Sequence, residues 1–215
     1  MKALVLGATG ATGNDLVQQL LKDQTFNKVD IFVRKPVDFK HEKLTVHVID
    51  FDKTDGWQGL VKGDVLFSCL GTTLKAAGSK DAQWKVDYEY QYQFAQAAKA
   101  NGVEFYALVS SSGATPNSRI FYLQMKGKLE DKIIQLEFKT TVIFQPGPLE
   151  RKNTDRPAER LSISVIKFFN KLGLLKSQTP IATFKLAKAM IATVKIPYIG
   201  LHKLKTNIIV NLSQH

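Results

Sequence analysis

The sequence predicts an α/β fold, a doubly wound parallel sheet with helices on both faces. Six short runs of β-branched, aromatic and leucine residues are almost continuously apolar, which is typical of strands buried on both faces. Helix-like runs lie between them, and repeated strand–helix units build parallel sheets. The chain has 215 residues, of which 44% are hydrophobic and 23% charged. This size and composition predict a single domain over residues 1–215.

The predicted elements alternate along the first two thirds of the chain. The helix over 83–100 is the clearest, because its second half is rich in alanine and Asn101-Gly102 follows as a stop signal. A short turn is expected near 57–61. The other predicted helices are 15–22 and 121–138, and the predicted strands are 3–6, 29–33, 44–49, 65–69, 105–109 and 141–144.

The pattern changes after Gln145-Pro146-Gly147-Pro148. A polar stretch over 151–157 predicts a loop, and the spacing of apolar residues predicts amphipathic helices over 161–169 and 184–194. A last strand is predicted over 207–212. Residues 148–215 are therefore expected to form a small, mostly helical extension on the substrate side of the domain.

The first predicted strand runs directly into GATGATG at 7–13, and a helical pattern follows at once. In a dinucleotide-binding turn the first glycine allows the tight turn, the second admits a pyrophosphate, and the third lets helix and strand pack closely. The free N–H groups at the helix N-terminus favour phosphates. This context predicts a Rossmann-type domain that binds a dinucleotide, although such glycines can also form a purely structural turn.

Composition narrows the functional classes. The net charge is +11, and residues 151–215 hold 12 basic and 2 acidic residues. Because these lysines are dispersed, they favour a solvated surface over contact with nucleic acid or a membrane. The four histidines lack ligand spacing, so no metal site is expected. One cysteine, no signal peptide and no apolar run of about 18 residues predict a cytoplasmic protein.

Tyr122 and Lys126 form a Tyr-x-x-x-Lys pair within the predicted helix 121–138. Residues four apart lie on one helical face, so both side chains can reach one site. A lysine ammonium beside a phenol favours the phenolate, which suits proton transfer coupled to hydride transfer. Upstream, the strand 105–109 ends in Ser110-Ser111-Ser112-Gly113. Ligands bind at the carboxyl ends of such strands, where a serine could polarise a carbonyl.

Five stretches together carry a family resemblance: GATGATG (7–13), CLGTT (69–73), VSSSGAT (109–115), FYLQMKG (121–127) and FQPGPL (144–149). On these motifs the chain resembles the atypical, NAD(P)H-binding branch of the short-chain dehydrogenase/reductase superfamily, and within it the Tat-interacting protein (CC3-like) family. The resemblance covers nearly the whole chain and is weaker after about residue 170.

The resemblance implies a set of site residues. The catalytic residues would be Tyr122 as acid/base, Lys126 as its modulator and ribose anchor, and Ser111, with Ser110 and Ser112 as alternatives. Arg34, after the second strand, favours a 2′-phosphate and therefore NADP(H) over NAD(H). The remaining cofactor-binding residues would be Gly7, Thr9, Gly10, Ala11, Thr12, Gly13, Asp50, Phe51, Cys69, Leu70, Gly71, Thr72, Pro146, Gly147 and Leu149, besides Tyr122 and Lys126.

The leading hypothesis is an NADP(H)-dependent oxidoreductase that reduces a small carbonyl or oxidises the corresponding alcohol. The resemblance also implies an alternative, an NADPH-binding regulatory or scaffold protein that acts through protein partners with little or no turnover. A sugar-nucleotide epimerase shares the glycine turn and the Tyr-x-x-x-Lys pair, but only residues 151–215 remain for its larger substrate domain. The sequence leaves open the substrate and the choice between monomer and homodimer.

Overall fold

The computed structural model describes residues 1–150 and 180–214. Their strands fall into a main sheet of seven and a separate pair formed by the two shortest strands. The strands are β1 (Lys2–Leu6), β2 (Lys28–Val33), β3 (Leu44–Val48), β4 (Val65–Ser68), β5 (Phe105–Val109), β6 (Thr140–Gln145), β7 (Leu149–Glu150), β8 (Ile181–Ala182) and β9 (Gly200–Lys205).

All pairs of the main sheet are parallel, and the strand order is β3-β2-β1-β4-β5-β6-β9. The chain builds outward from β1 in one direction and then, from β4, in the other. The crevice between the carboxyl ends of β1 and β4 is therefore the topological switch point, where open α/β sheets bind their ligands. The predicted Rossmann-type doubly wound sheet is confirmed.

The helices lie on both faces of this sheet. A π-helical turn, Lys85–Glu89, joins two of them into a continuous helical segment over residues 80–100. The α-helices are α1 (Ala11–Lys22), α2 (Leu74–Ala77), α3 (Lys80–Trp84), α4 (Tyr90–Ala100), α5 (Phe121–Ile134), α6 (Thr183–Val194) and α7 (Thr206–Leu212), with 3-10 turns at Thr54–Gly56 and Gln58–Leu60.

Two buried cores flank the sheet, because successive strand residues point to opposite faces. On one face Val5 packs in a cluster with Leu16 of α1 and Met190 of α6. On the other face Leu4 belongs to a cluster with Phe94 of α4. The helices are therefore packed against both faces of the sheet. Within residues 1–150 and 180–214, each helix is too short or too polar to span a bilayer.

The C-terminal segment differs from the sequence prediction. The strand predicted over 207–212 is wrong: these residues lie in helix α7, and strand β9 precedes them at Gly200–Lys205. The buried residues Thr206, Ile209 and Ser213 are spaced at helical intervals, whereas the short apolar run alone does not separate helix from strand. β9 is an edge strand, and its exposed polar residues interrupt the apolar run that would otherwise have predicted a strand. The helix predicted over 161–169 lies outside the described residues.

Candidate functional site

The glycine turn brings β1, β4 and α1 into close contact. Gly7 has φ +86°, and a Cβ there would lie 2.5 Å from the backbone nitrogen of Leu70. A Cβ on Gly13 would lie 2.1 Å from the carbonyl oxygen of Gly7. Neither position admits a side chain without a backbone shift. The turn is therefore as tight as the glycine spacing predicts, which is the geometry of a dinucleotide-binding turn.

Helix α1 begins at Ala11, directly after this turn. Gly10 precedes it and brings no side chain to cap the first N–H groups, and the first turn contains no acidic residue. Such a terminus combines unpaired backbone donors with the positive end of the helix dipole. The residues of the turn thus fit the phosphates of a dinucleotide.

A cleft of about 690 Å³ opens beside the turn. It joins the start of α1 to the loop after β4, the end of β5 and the first turns of α5. Its walls include ten predicted site residues: Gly10, Ala11, Thr12, Cys69, Leu70, Gly71, Thr72, Tyr122, Lys126 and Leu149. One continuous space therefore connects the expected phosphate-binding turn with the expected proton-transfer pair.

Tyr122 and Lys126 occupy the first turns of α5 and face this cleft. Tyr122 is 37% exposed, whereas the side chain of Lys126 is 3% exposed. The Lys126 Nζ lies 6.0 Å from the centroid of the Tyr122 ring. The phenol is thus accessible to a ligand, and the ammonium is held beneath it in a buried position.

Asp87 pairs with Lys126 on the buried side and was missed by the sequence interpretation. Its Oδ1 lies 3.5 Å from the Lys126 Nζ, and both side chains are almost fully buried. Its Oδ2 accepts a hydrogen bond of 2.8 Å from the Thr72 N–H. Burial raises the pKa of Asp87, and the Lys126 ammonium and the Thr72 N–H oppose that rise. The carboxylate therefore links the lysine to the loop after β4.

The serines that follow β5 have different surroundings. Ser110 lines the cleft, and its Oγ donates a hydrogen bond of 2.5 Å to Glu130 Oε1. Ser111 lies outside the cleft lining and donates weakly to the Ser112 carbonyl at 3.4 Å. Of the two, the structure brings Ser110 rather than Ser111 to Tyr122 and Lys126, although the sequence interpretation preferred Ser111.

Other predicted residues lie away from the cleft walls. Arg34 is exposed just beyond the end of β2, and Asp50 is exposed and pairs with Lys53. Phe51 is buried against Trp57, Tyr90 and Phe94. The remaining predicted residues are also not among those that line the cleft; they are Gly7, Thr9, Gly13, Pro146 and Gly147.

Cys69 gives a direct test of the cleft wall. Burial raises the pKa of its thiol to about 12, although Lys126 favours the thiolate. Only the thiolate reacts with alkylating agents. We therefore expect iodoacetamide at pH 8.5 to modify the folded chain at least about tenfold more slowly than the urea-unfolded chain. Mass spectrometry can follow this reaction cleanly, since the chain has one cysteine. Equal rates would contradict the raised pKa of the Cys69 thiol in the folded chain.

Comparison with known proteins agrees with this geometry. A family model described as NAD(P)H-binding matches residues 7–165. The chain is 41% identical over 160 residues to Protein FMP52, mitochondrial, from Saccharomyces cerevisiae, covering 72% of this chain and 69% of the relative. It is 38% identical over 174 residues to Protein HTATIP2 from Rattus norvegicus, covering 78% of this chain and 70% of that protein. The predicted NAD(P)H-binding domain is confirmed.

Solved structures share the fold at low sequence identity. The oxidoreductase ylbE from Lactococcus lactis superposes with a TM-score of 0.69 at 18% identity, covering 100% of this chain and 98% of that one. MoeE5 in complex with UDP-glucose and NAD gives a TM-score of 0.71 at 14% identity, covering 99% of this chain and 81% of that one. These likenesses support the architecture.

The predicted cytoplasmic location is wrong by this comparison, because the FMP52 relatives of several yeasts are named as mitochondrial proteins. A single cysteine does not distinguish the cytoplasm from other reducing compartments. The family match over most of the chain and the two groups of relatives agree with each other. The chain therefore belongs to the NAD(P)H-binding family and is similar to HTATIP2 and FMP52.

Proposed function

We propose that the chain is an NADP(H)-dependent oxidoreductase that interconverts a small carbonyl compound and its alcohol. The observation that carries this proposal is the single cleft that holds both the start of α1 and the pair Tyr122 and Lys126. The bound cofactor would supply or accept the hydride. The protein would then position the substrate and move one proton.

Tyr122 is the residue proposed to move that proton. Its phenol lies at the cleft and is accessible, so it can donate to a developing alkoxide or accept from an alcohol. Lys126 lies beneath it with a buried ammonium, where its charge acts in a low-dielectric setting. Ser110 completes the polar wall beside them.

Two features favour a 2′-phosphate over a free ribose hydroxyl. Arg34 and Lys35 follow β2 directly and are exposed at the carboxyl end of the strand next to β1. The acidic residue of this strand, Asp30, is buried, and its Oδ2 lies 2.8 Å from both Lys2 Nζ and His47 Nε2. Asp30 is therefore paired with Lys2 and His47. The exposed charged groups at the carboxyl end of β2 are the cations Arg34 and Lys35.

Arg34→Ser tests the cofactor preference. We expect the dissociation constant for NADPH to rise by about tenfold to a hundredfold, as one or two charge-assisted hydrogen bonds are lost. The affinity for NADH should change little. Lys28→Ser is the matched control, because Lys28 is exposed at the opposite end of the same strand. Fluorescence titration with both nucleotides measures the effect. Equal weakening of NADPH and NADH would contradict recognition of the 2′-phosphate.

Turnover is tested with the purified chain and NADPH on a panel of aldehydes, ketones and quinones. The proposal expects substrate-dependent NADPH consumption by at least one class. Tight NADPH binding without consumption across the panel would contradict it. That result would favour instead a nucleotide-binding regulatory protein, which recovery of a protein partner in the presence of NADPH would then establish.

A further inference from the structure

Glu130 is a buried acid with an unusually complete set of partners. It lies in α5, is 1% exposed, and is surrounded by donors from three strands or strand ends. Gln145 Nε2 at the end of β6 donates to both carboxylate oxygens at 2.9 and 3.1 Å. Lys203 Nζ of β9 donates to Oε2 at 2.9 Å, and Ser110 Oγ donates to Oε1. The carboxylate therefore joins β5, β6 and β9 behind the cleft.

These contacts fix the direction of each hydrogen bond. A lysine ammonium can only donate, and the contact from Gln145 is made by its amide nitrogen, which also only donates. In all four contacts the Glu130 oxygens are therefore the acceptors. A serine hydroxyl carries one proton and two lone pairs. Because Ser110 gives its single proton to Glu130, its oxygen has only lone pairs left for the cleft.

Glu130 connects this hydrogen-bond network to the cleft, because it lies on the same helix as Tyr122 and Lys126. Tyr122, Lys126 and Glu130 are spaced four apart along α5 and therefore lie on one helical face. Tyr122 and Lys126 line the cleft, and Glu130 reaches it through Ser110. The third member of this face controls a cleft residue without touching the cleft itself.

We propose that Glu130 is a positioning residue that turns the Ser110 hydroxyl proton away from the cleft, so that Ser110 Oγ accepts a hydrogen bond from the hydroxyl group of an alcohol ligand. The inference rests on the proposed oxidoreductase function. It assigns Ser110 to the recognition of the bound alcohol, with the Tyr122 phenol donating to the oxygen of that alcohol or of a carbonyl. Because a hydroxyl group has one proton, the alcohol must turn its proton from Ser110 to Tyr122 before Tyr122 can accept it. Ser110 thereby becomes an acceptor rather than a polarising donor.

The proton position is tested directly and without any substrate. Neutron diffraction from crystals of the deuterated chain locates the hydroxyl deuterium of Ser110. We expect it between Ser110 Oγ and Glu130 Oε1. A deuterium directed into the cleft would overturn the proposal. This experiment decides the point even if the panel of carbonyl compounds shows no turnover, so failure of the proposed reaction and failure of this inference are distinguishable.

The functional consequence is tested with Glu130→Gln, whose amide can donate to Ser110 Oγ and release the serine proton toward the cleft. Cyclohexanol binding to the NADPH complex and cyclohexanone binding to the NADP⁺ complex serve as probes, measured by ligand-observed NMR. We expect the dissociation constant of the alcohol to rise about tenfold and that of the ketone to change less than about threefold. Ser110→Ala should weaken the alcohol similarly.

Glu104→Gln is the matched control, because Glu104 is an exposed acid paired with Lys139 at the opposite end of β5. It should leave both dissociation constants unchanged. Equal weakening of alcohol and ketone in Glu130→Gln would indicate a merely structural role and overturn the proposal. Unchanged alcohol binding in both Glu130→Gln and Ser110→Ala would also overturn it.

Discussion

Tyr122→Phe should lower NADPH consumption by about a hundredfold to ten-thousandfold, the range expected when a positioned acid/base group is removed. The change deletes one oxygen from a side chain that is 37% exposed at the cleft. It therefore costs little packing and should leave the free energy of unfolding and the NADPH dissociation constant nearly unchanged. Steady-state kinetics on the best substrate of the panel, with a parallel nucleotide titration, measures both quantities.

Tyr92→Phe is the appropriate comparison. Tyr92 lies half-buried on α4, outside the cleft lining, and its ring lies 6.4 Å from that of Tyr88. Its replacement should retain full activity. If Tyr122→Phe also retained full activity, the proton would have to come from another group or from water, and the proposed role of Tyr122 would be rejected. A parallel loss of nucleotide affinity would point to a binding role for the phenol.

The parts of the site that could be predicted are those whose geometry depends on a few residues close together in the sequence. Gly7 and Gly13 are required by contacts to Leu70 and to the turn itself, so their spacing carries the geometry of the turn. Tyr122 and Lys126 share one helical face by periodicity alone. In both cases local backbone geometry sets the arrangement, so a short sequence pattern is enough to predict it.

Residues that act across elements were harder to find. Asp87 reaches Lys126 from the π-helical turn Lys85–Glu89. Such a turn changes which residues face inward and has no simple sequence pattern. The sequence does contain a sign of Glu130, because this acid lies four residues after Lys126 on the same face of α5, where the position is buried. An acid at a core-facing helical position is expensive to bury and therefore indicates partners.

The choice among the serines did not depend on the strand boundary, because the predicted strand 105–109 has the same bounds as β5. Ser110 follows Val109, the last residue of β5, and remains buried, whereas Ser111 is half-buried. The backbone conformation after Val109 decides which serine lines the cleft. Three identical side chains in a row give no pattern from which that conformation could be predicted.

The ion pair between Asp87 and Lys126 should dominate the stability of the cleft. We expect Asp87→Ala and Lys126→Met each to lower the free energy of unfolding by about 3–5 kcal/mol, because each leaves the other charge buried without its partner. Urea unfolding followed by tryptophan fluorescence gives these values. Asp87→Ala also removes the acceptor of the Thr72 N–H, so it should be the more damaging of the two.

The double variant, Asp87→Ala with Lys126→Met, measures the coupling free energy between the two charges. With both charges removed, neither is left uncompensated, so the loss should be smaller than the sum of the single losses by about 1–3 kcal/mol. The exposed pair Lys139 and Glu104 is the control, with a coupling of at most about 1 kcal/mol. Strictly additive losses at Asp87 and Lys126 would mean that the 3.5 Å contact contributes no energy. Lys126 would then owe its buried position to the packing of α5 alone, and Asp87 would serve only the loop after β4.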